Sequence, residues 1–281
     1  MDTSNYQQLT RTFQRLYRFS HLSSIAGWDM MTNMPAAGSA ARGEALAEIS
    51  VLKHQILTDK KVAQWLDAAA QEDLNDVEQA NLREMTRHYQ QAAVLPEALV
   101  EAKSLAGSRC EHAWRSQRPA NDWEGFSANL KEVVKLSREE AKLRAAAKGC
   151  TPYDALLDLY EPDMTAAKLD VLFADLKSWL PDLLNQVVAK QAQRQLIAPV
   201  GPFPVEKQRE LGLTAMRTLG FDFDAGRLDI SAHPFCGGVP EDVRITTRYD
   251  ENELLSALFG VVHETGHARY EQNLPRTWLG Q

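Results

Sequence analysis

The chain has few of the features that mark several protein classes. Only 3 of its 281 residues are cysteines, and Cys110, Cys150 and Cys236 lack the spacing of a zinc-binding cluster. Scattered cysteines in odd number are typical of reduced thiols. The 15 glycines and 12 prolines are too few for a collagen-like or linker-rich protein. We therefore predict a globular protein of a reducing compartment, the cytoplasm.

Positive charge and long apolar runs are also scarce. The 31 lysines and arginines are outnumbered by 38 acidic residues, and no basic cluster is present, so nucleic acid is not an expected partner. The N-terminal segment is polar and lacks the apolar stretch of a signal peptide. The longest apolar run, at 254–262, is less than half of the roughly 20 residues that span a membrane. We expect no membrane association.

Apolar residues recur mainly with helical spacing, as in the stripe at 169–183, which predicts a mainly α fold of many helices. Thr165 is expected to cap one helix, Gly220 to end another, and Pro181 to kink or split the helix that contains it. The proline-containing stretch 197–204 is the best candidate for an internal loop boundary. Nothing in residues 1–281 indicates that the two sides of this stretch fold independently.

One region changes to a period of two residues. The segments 228–232 and 243–249 alternate apolar and polar residues, and the turn-rich stretch PFCGGVPE lies between them. This pattern predicts a two-stranded antiparallel hairpin directly before the next helix.

That helix, predicted at 253–271, contains the sequence HETGH. His263 and His267 are four residues apart and share one helix face, and Glu264 lies about 100° around the axis. The pattern is typical of zinc hydrolases, in which two imidazoles bind the ion and the glutamate accepts a proton from the attacking water. The alternative is two surface histidines beside an unrelated glutamate, because short motifs also arise by chance.

The rest of this helix is predicted to frame the histidines. Ser256 and Gly260 extend the histidine face with small side chains, which would leave a hollow. Gly266 lowers helix propensity and suggests that another backbone approaches closely. Four larger side chains are predicted to form the buried side: Leu255, Leu258, Phe259 and Val262.

Polar side chains of the hairpin are candidates for supporting roles. Asp242, Arg244 and Thr246 share one strand face. Arg244 could bind a substrate carboxylate or pair with Asp242, and we favour the pair. His233 could contact substrate or cap the turn before Pro234, and we favour the cap.

The sequence lacks an evident third metal ligand. Catalytic zinc usually has three protein ligands and a water. The class that continues to a third histidine would need it at the position of Asn273, with glycine at Tyr270. Glu271 is too far along the same helix to share an ion with His263. We expect the third ligand on a later helix that this chain does not contain, and hence weak metal retention and little activity.

Three motifs, in order and spacing, resemble those of the Taq-type thermostable carboxypeptidase family of metallocarboxypeptidases. They are His233-Pro234-Phe235, Asp242-Val243-Arg244-Ile245-Thr246 and His263-Glu264-Thr265-Gly266-His267. Further similarity lies in Gly27-Trp28-Asp29, Met34-Pro35 and Tyr160-Glu161-Pro162.

The resemblance implies a helical, zincin-like groove fold, a homodimer, a zinc or cobalt ion, and removal of single residues from peptide C-termini. It implies His263 and His267 as metal ligands and Glu264 as general base. His233, Asp242, Arg244 and Thr246 are supporting or substrate-binding groups. Members of the family are longer, so the chain resembles their N-terminal part, truncated after the HExxH helix.

Two other functions remain open at this point. The same chemistry would serve an oligopeptidase that cuts internal peptide bonds. Alternatively, the chain is a non-enzymatic helical scaffold in which the HExxH sequence is incidental.

Overall fold

The computed structural model describes residues 4–195, 197 and 199–280. Over these residues the chain forms ten α-helices, two short 3-10 helices at 36–38 and 276–278, and three strands. The helices are α1 (Asn5–Thr32), α2 (Ser39–Leu57), α3 (Lys60–Ala69), α4 (Asp76–Ala93), α5 (Glu97–Gln117), α6 (Trp123–Lys148), α7 (Pro152–Leu157), α8 (Ala166–Gln191), α9 (Val205–Thr218) and α10 (Leu254–Gln272). The strands are β1 (Gly226–Ile230), β2 (Cys236–Val239) and β3 (Asp242–Thr247). Within the described part, none of the helices has the length and apolar character needed to cross a membrane.

The chain divides into two compact units. The first contains the described residues up to Leu136 together with those from Gly201 onward, and the second is Ser137–Val200. The first holds α1 to α5, α9, α10 and the sheet, and the second holds α7 and α8. The loop boundary at 197–204 stays a prediction, and residues 196 and 198 lie outside the described residues.

Local sequence signals account for several helix ends. The Thr165 hydroxyl accepts a hydrogen bond from the Lys168 backbone at the start of α8, as predicted. Gly220 follows the end of α9 with φ of +80°, a left-handed conformation that favours glycine. α8 continues through Pro181 and is not split there. Proline removes one backbone donor, and a helix of 26 residues tolerates that loss.

The sheet has three strands in the order β1-β3-β2, which corrects the predicted hairpin. β1 and β3, the two segments expected to pair antiparallel, are parallel, with Leu228 opposite Ile245. The connection between them contributes β2, which pairs antiparallel with β3. The alternating pattern identified the segments of β1 and β3. It did not reveal β2 between them, because β2 contains two glycines and its sequence does not alternate. Without β2, the two segments were expected to pair directly as a hairpin.

The turn from β2 to β3 requires glycine at position 238. Gly238 has φ of +104°, and a Cβ atom there would lie 2.1 Å from the backbone oxygen of Asp242. Any other residue would be strained and would clash with β3. Gly238, one of the two glycines that hid β2 from the pattern, is therefore needed for β2 to pair with β3.

Two apolar clusters form the core of the first unit. One lies between the sheet, α9 and α10: Met216, Phe221, Leu228, Val243, Ile245, Val261 and Ala268. The other joins α1, α3 and α4: Tyr6, Leu9, Val62, Leu66, Ala69 and Met85. The first cluster fixes α10 against the sheet, and so positions the HExxH sequence.

α8, in the second unit, has no buried residue. Large apolar side chains spaced for one helix face are 37–58% exposed, and we call them the α8 stripe. The stripe consists of Leu172, Phe173, Leu176, Trp179, Leu180, Leu183, Leu184 and Val187.

Candidate metal centre

The two histidines of the HExxH sequence converge on one face of α10. Their Nε2 atoms are 3.2 Å apart, and the rings meet edge to face with centroids 4.8 Å apart. Two imidazole ligands of a tetrahedral zinc ion, at bond lengths near 2.05 Å, would be about 3.4 Å apart. Both histidines are exposed, so an ion can reach them. His263 and His267 thus fit two of the ligands of a metal ion.

Glu264 lies next to the histidine face on α10, about 100° around the axis from His263, and is 7% exposed. Its charge acts on Cys236 of β2, whose thiol has a pKa raised to about 12, chiefly by burial and further by Glu264 and Glu271. A thiol with this pKa is protonated at neutral pH and is a poor metal ligand. The low exposure of Glu264 shows that this residue is largely shielded from bulk water.

The orientation of α10 differs from the prediction. Leu255, Phe259 and Val262 were expected to be buried, but they are 43%, 66% and 38% exposed. The buried side consists of Ala257, Val261, Glu264, Thr265 and Ala268. Small side chains face α9 and the sheet because the packing is close. A Cβ atom at Gly212 of α9, for example, would lie 3.4 Å from Val261.

The two glycines of α10 also reverse their expected roles. A Cβ atom at Gly260 would meet Pro234 at 3.5 Å, so the loop before β2 covers part of the expected hollow. A Cβ atom at Gly266 would meet nothing within 4 Å among the described residues. The prediction that another backbone approaches Gly266 closely is thus wrong for the described part of the chain.

Buried hydroxyl groups hold the loop that contains His233. The Ser231 hydroxyl donates to the backbone oxygen of His233 at 2.7 Å and lies 2.7 Å from Thr246 Oγ1. Thr246, which is fully buried, accepts a hydrogen bond from the Phe235 backbone N–H at 3.1 Å. This loop packs on α10 at Gly260, one turn before His263. Thr246 therefore acts on the loop conformation, and the exposed His233 ring keeps an open role.

Asp242 and Arg244 pair with each other through two hydrogen bonds, one of them 2.9 Å from Arg244 Nη2. The Arg244 guanidinium lies 4.6 Å from the centroid of the Trp28 ring of α1. Hydrogen bonding from Arg244, with a contribution from His21, holds the pKa of Asp242 below its ordinary value of 3.8. In this structure Arg244 is engaged by Asp242 and Trp28, which supports a positioning role.

The sequence did not indicate which residues join the candidate site to neighbouring elements of the fold. Trp28 belongs to a family-like motif, yet nothing in the sequence places it under Arg244, 216 positions away. Ser231 stands at the end of an alternating segment, and its buried contact with Thr246 had no sequence signal. Asp29, of the same motif as Trp28, accepts a 2.7 Å hydrogen bond from Arg42 and ties α1 to α2.

No third ligand completes the centre among the described residues. They contain no group of three or more histidine, cysteine, aspartate or glutamate side chains placed to hold a metal ion. The histidine pair alone provides two nitrogen donors.

Comparison with known proteins identifies the family. The family model of the carboxypeptidase Taq (M32) metallopeptidases matches residues 8–281. The chain belongs to this M32 family. It is 38% identical to thermostable carboxypeptidase 1 of Thermus thermophilus, over 98% of this chain and 56% of that protein. Carboxypeptidase 1 of Bacillus subtilis is 35% identical, over 95% of this chain and 54% of its own length.

Solved structures show the same similarity. The structure of Trypanosoma cruzi metallocarboxypeptidase 1 matches with a TM-score of 0.86 and 46% identity, over 99% of this chain and 56% of that one. The M32 carboxypeptidase of Deinococcus radiodurans matches with a TM-score of 0.80 and 31% identity, over 98% and 55%. The mainly helical fold with its small mixed sheet is thus that of M32 structures. The chain spans little more than half the length of these relatives.

Proposed function

We propose that the chain carries the metal-binding helix of a metallocarboxypeptidase that releases C-terminal residues from peptides. His263 and His267 would hold a divalent ion, zinc or cobalt, and Glu264 would act as general base. The observation that carries the proposal is the 3.2 Å separation of the two Nε2 atoms, which fits ligands of one tetrahedral ion. Membership of the M32 family supports the reaction class.

In this proposal the catalytic and the positioning roles belong to different residues of the chain. A bound ion would supply a Lewis acid and lower the pKa of a nearby water. Glu264 would accept the proton of the attacking water and pass it to the leaving amine nitrogen. Its burial would shield this proton transfer from bulk solvent. Thr246, Asp242 and Arg244 would hold the loop and strand beside α10 in position.

We propose further that the 281-residue chain binds metal weakly and has almost no peptidase activity. Two histidines leave the remaining coordination positions to water, whereas catalytic zinc usually has three protein ligands. The cytoplasmic compartment and the homodimer implied by the resemblance also remain proposals.

Titration of the purified chain with Zn²⁺ in a calorimeter, and with Co²⁺ followed by absorption, tests the metal site. We expect one weakly bound ion per chain, and its loss in His263→Ala and in His267→Ala. His233→Ala is a matched control, because its exposed ring lies outside the pair, and it should bind as the unmodified chain does. Unchanged binding in His263→Ala would remove the assignment.

Assay with N-blocked dipeptides that carry a free C-terminus tests the activity. We expect no release of the C-terminal residue above the blank rate. Turnover that a chelator abolishes would show that the chain is active by itself, and would overturn the proposed inactivity. Peptides with amidated C-termini are the control for cleavage of internal bonds.

A further inference from the structure

A cavity of about 340 Å³ lies at the junction of α5 and α6. A short turn joins the two helices, and in it Asn121 adopts a left-handed φ of +53°. Three aromatic side chains line the cavity: Trp114 from α5, and Trp123 and Phe126 from α6. Small-molecule pockets of proteins begin at about 300 Å³ and are lined mainly by such side chains. All the lining residues lie at 114–126, whereas the candidate metal centre is on α10.

The aromatic lining favours a ligand with an apolar group. Trp123 is 68% exposed and packs on Phe126 with ring centroids 5.9 Å apart. An apolar surface of this size gains free energy when another apolar group removes it from water. Indole and phenyl rings also offer a large contact area with few rotatable bonds.

The cavity also carries one charge of each sign. Neither the Arg118 guanidinium nor the Asp122 carboxylate forms an ion pair with the residues that the structure describes. Asp122 Oδ1 accepts a hydrogen bond of 2.9 Å from the Gly125 backbone at the start of α6, whereas Oδ2 has no such partner in the described part of the chain. A cation would be repelled by Arg118 and an anion by Asp122. A ligand with both charges can pair with the two side chains at once.

One buried atom of the lining also lacks a partner. Gln117 Oε1 is closed to bulk water and accepts no hydrogen bond from the described residues, although buried acceptors are normally paired. A Cβ atom at Gly125 would lie 2.2 Å from Asp122 Oδ2 and 2.7 Å from Gln117 Nε2. Glycine at this position therefore lets both side chains occupy the same corner of the cavity. A rotation of the Gln117 amide would present its oxygen to a donor that enters there.

The volume of the cavity limits the size of the ligand. At roughly 30 Å³ for each water, 340 Å³ corresponds to about eleven waters. This is close to the number of non-hydrogen atoms in leucine or phenylalanine. A peptide of several residues would not fit.

We propose that this cavity binds a free α-amino acid with a large apolar or aromatic side chain. The ligand carboxylate would pair with Arg118, and its ammonium group would donate to Asp122 Oδ2. The ligand side chain would pack against Trp114, Trp123 and Phe126. The inference does not rest on the proposed peptidase function, although such an amino acid is also a product that the peptidase would release.

Isothermal titration calorimetry of the purified chain with L-phenylalanine, in the presence of a chelator, tests the site without any metal. We expect one ligand per chain with a dissociation constant on the order of 0.1 mM. N-acetyl-L-phenylalanine lacks the ammonium group and L-phenylalaninamide lacks the carboxylate, so each should bind about 10-fold more weakly. Tryptophan fluorescence should shift to shorter wavelength on binding, because the ligand would cover Trp123.

Variants of the charged side chains locate the site. Asp122→Asn and Arg118→Gln should each weaken binding by about 10-fold. Asparagine also caps helices, so Asp122→Asn should keep the start of α6. Glu124→Gln is the matched control, because it removes the same charge from the exposed first turn of α6 outside the cavity, and it should bind normally.

Gly125→Ala tests the shape of the cavity. Its Cβ atom would meet only the ends of two flexible side chains, so the variant should fold while Asp122 and Gln117 are displaced. We expect binding to weaken by about 10-fold with an unchanged circular dichroism spectrum. Circular dichroism of the other variants likewise shows that each is folded.

Four results would overturn the proposal. Absence of binding at 10 mM L-phenylalanine would show that the cavity takes no amino acid, and equal binding of the acetylated and amidated forms would show that it does not recognise the two charges. Binding that survives both Arg118→Gln and Asp122→Asn, or that is lost in His263→Ala, would place the amino acid elsewhere. Equal weakening by Glu124→Gln would show that net charge, and not Asp122, decides the affinity.

Discussion

At the scale of single residues, the structure turns separate motif positions into a connected set. Thr246 links β3 to the loop of His233 through Phe235 and Ser231, and Arg244 links β3 to α1 through Trp28. These contacts join different elements of the fold. They give Thr246 and Arg244 a structural role that needs no contact with a substrate. The sequence predicted the pairing of Asp242 with Arg244 because neighbours on one strand face are close.

The Asp242 carboxyl predicts a pH dependence of stability. Its pKa is lowered in the folded chain, chiefly by hydrogen bonding from Arg244, so it contributes stability above its unfolded value of 3.8. This contribution is lost as the pH falls below 3.8 through the folded pKa. We expect Asp242→Asn to lower the free energy of unfolding by about 1–2 kcal/mol at pH 7, and the difference to shrink towards pH 3.

Urea denaturation at pH 7, 5, 4 and 3 measures this difference. Asp170→Asn is a suitable control, because Asp170 is an exposed carboxylate on α8 that forms no ion pair with the described residues. A difference between Asp242→Asn and the unmodified chain that stays constant across this range would contradict the prediction.

At the scale of elements, α10 shows where periodicity alone misleads. Its pattern correctly predicted a helix and the face shared by the histidines, but the large apolar residues were assigned to the wrong side. Close packing against α9 and the sheet selects small residues, so Ala257 and Ala268 are buried whereas Phe259 is exposed. Hydrophobicity along one helix does not show how near its neighbours come.

Glycine substitutions test this view of α10 and of the β2–β3 turn. Gly266→Ala should stabilise the chain by about 0.5–1 kcal/mol, because its Cβ atom meets open space and alanine favours the helix. Gly238→Ala should destabilise it by more than about 2 kcal/mol, since it adds a clash with Asp242 at a positive φ.

The free energies of unfolding of both variants come from urea titration followed by circular dichroism. If Gly266→Ala is less stable than the unmodified chain, the space beside that glycine is filled.

At the scale of the whole molecule, the excess of acidic residues opposes association between copies of the chain. The net charge of −7 at neutral pH makes copies of the chain repel each other, and the sequence pI is about 5.6. As the pH approaches this value the repulsion falls, while the apolar area of the α8 stripe stays the same.

We therefore expect association to strengthen as the pH is lowered from 8 to 6. Light scattering at fixed concentration measures the change, and added salt at pH 8 should act in the same direction by screening the charges. A mass that does not vary with pH would show that net charge has no part in association.

The sequence by itself determined the mainly helical class, the family, and the pair of histidines on one helix face, because these follow from local spacing and short motifs. Only the tertiary structure decided that β1 and β3 run parallel, that Glu264 is buried while both histidines are exposed, and that Trp28 stacks on Arg244. These features depend on contacts between residues far apart in the chain. A pattern read along one element records neither the direction of a neighbouring strand nor its distance.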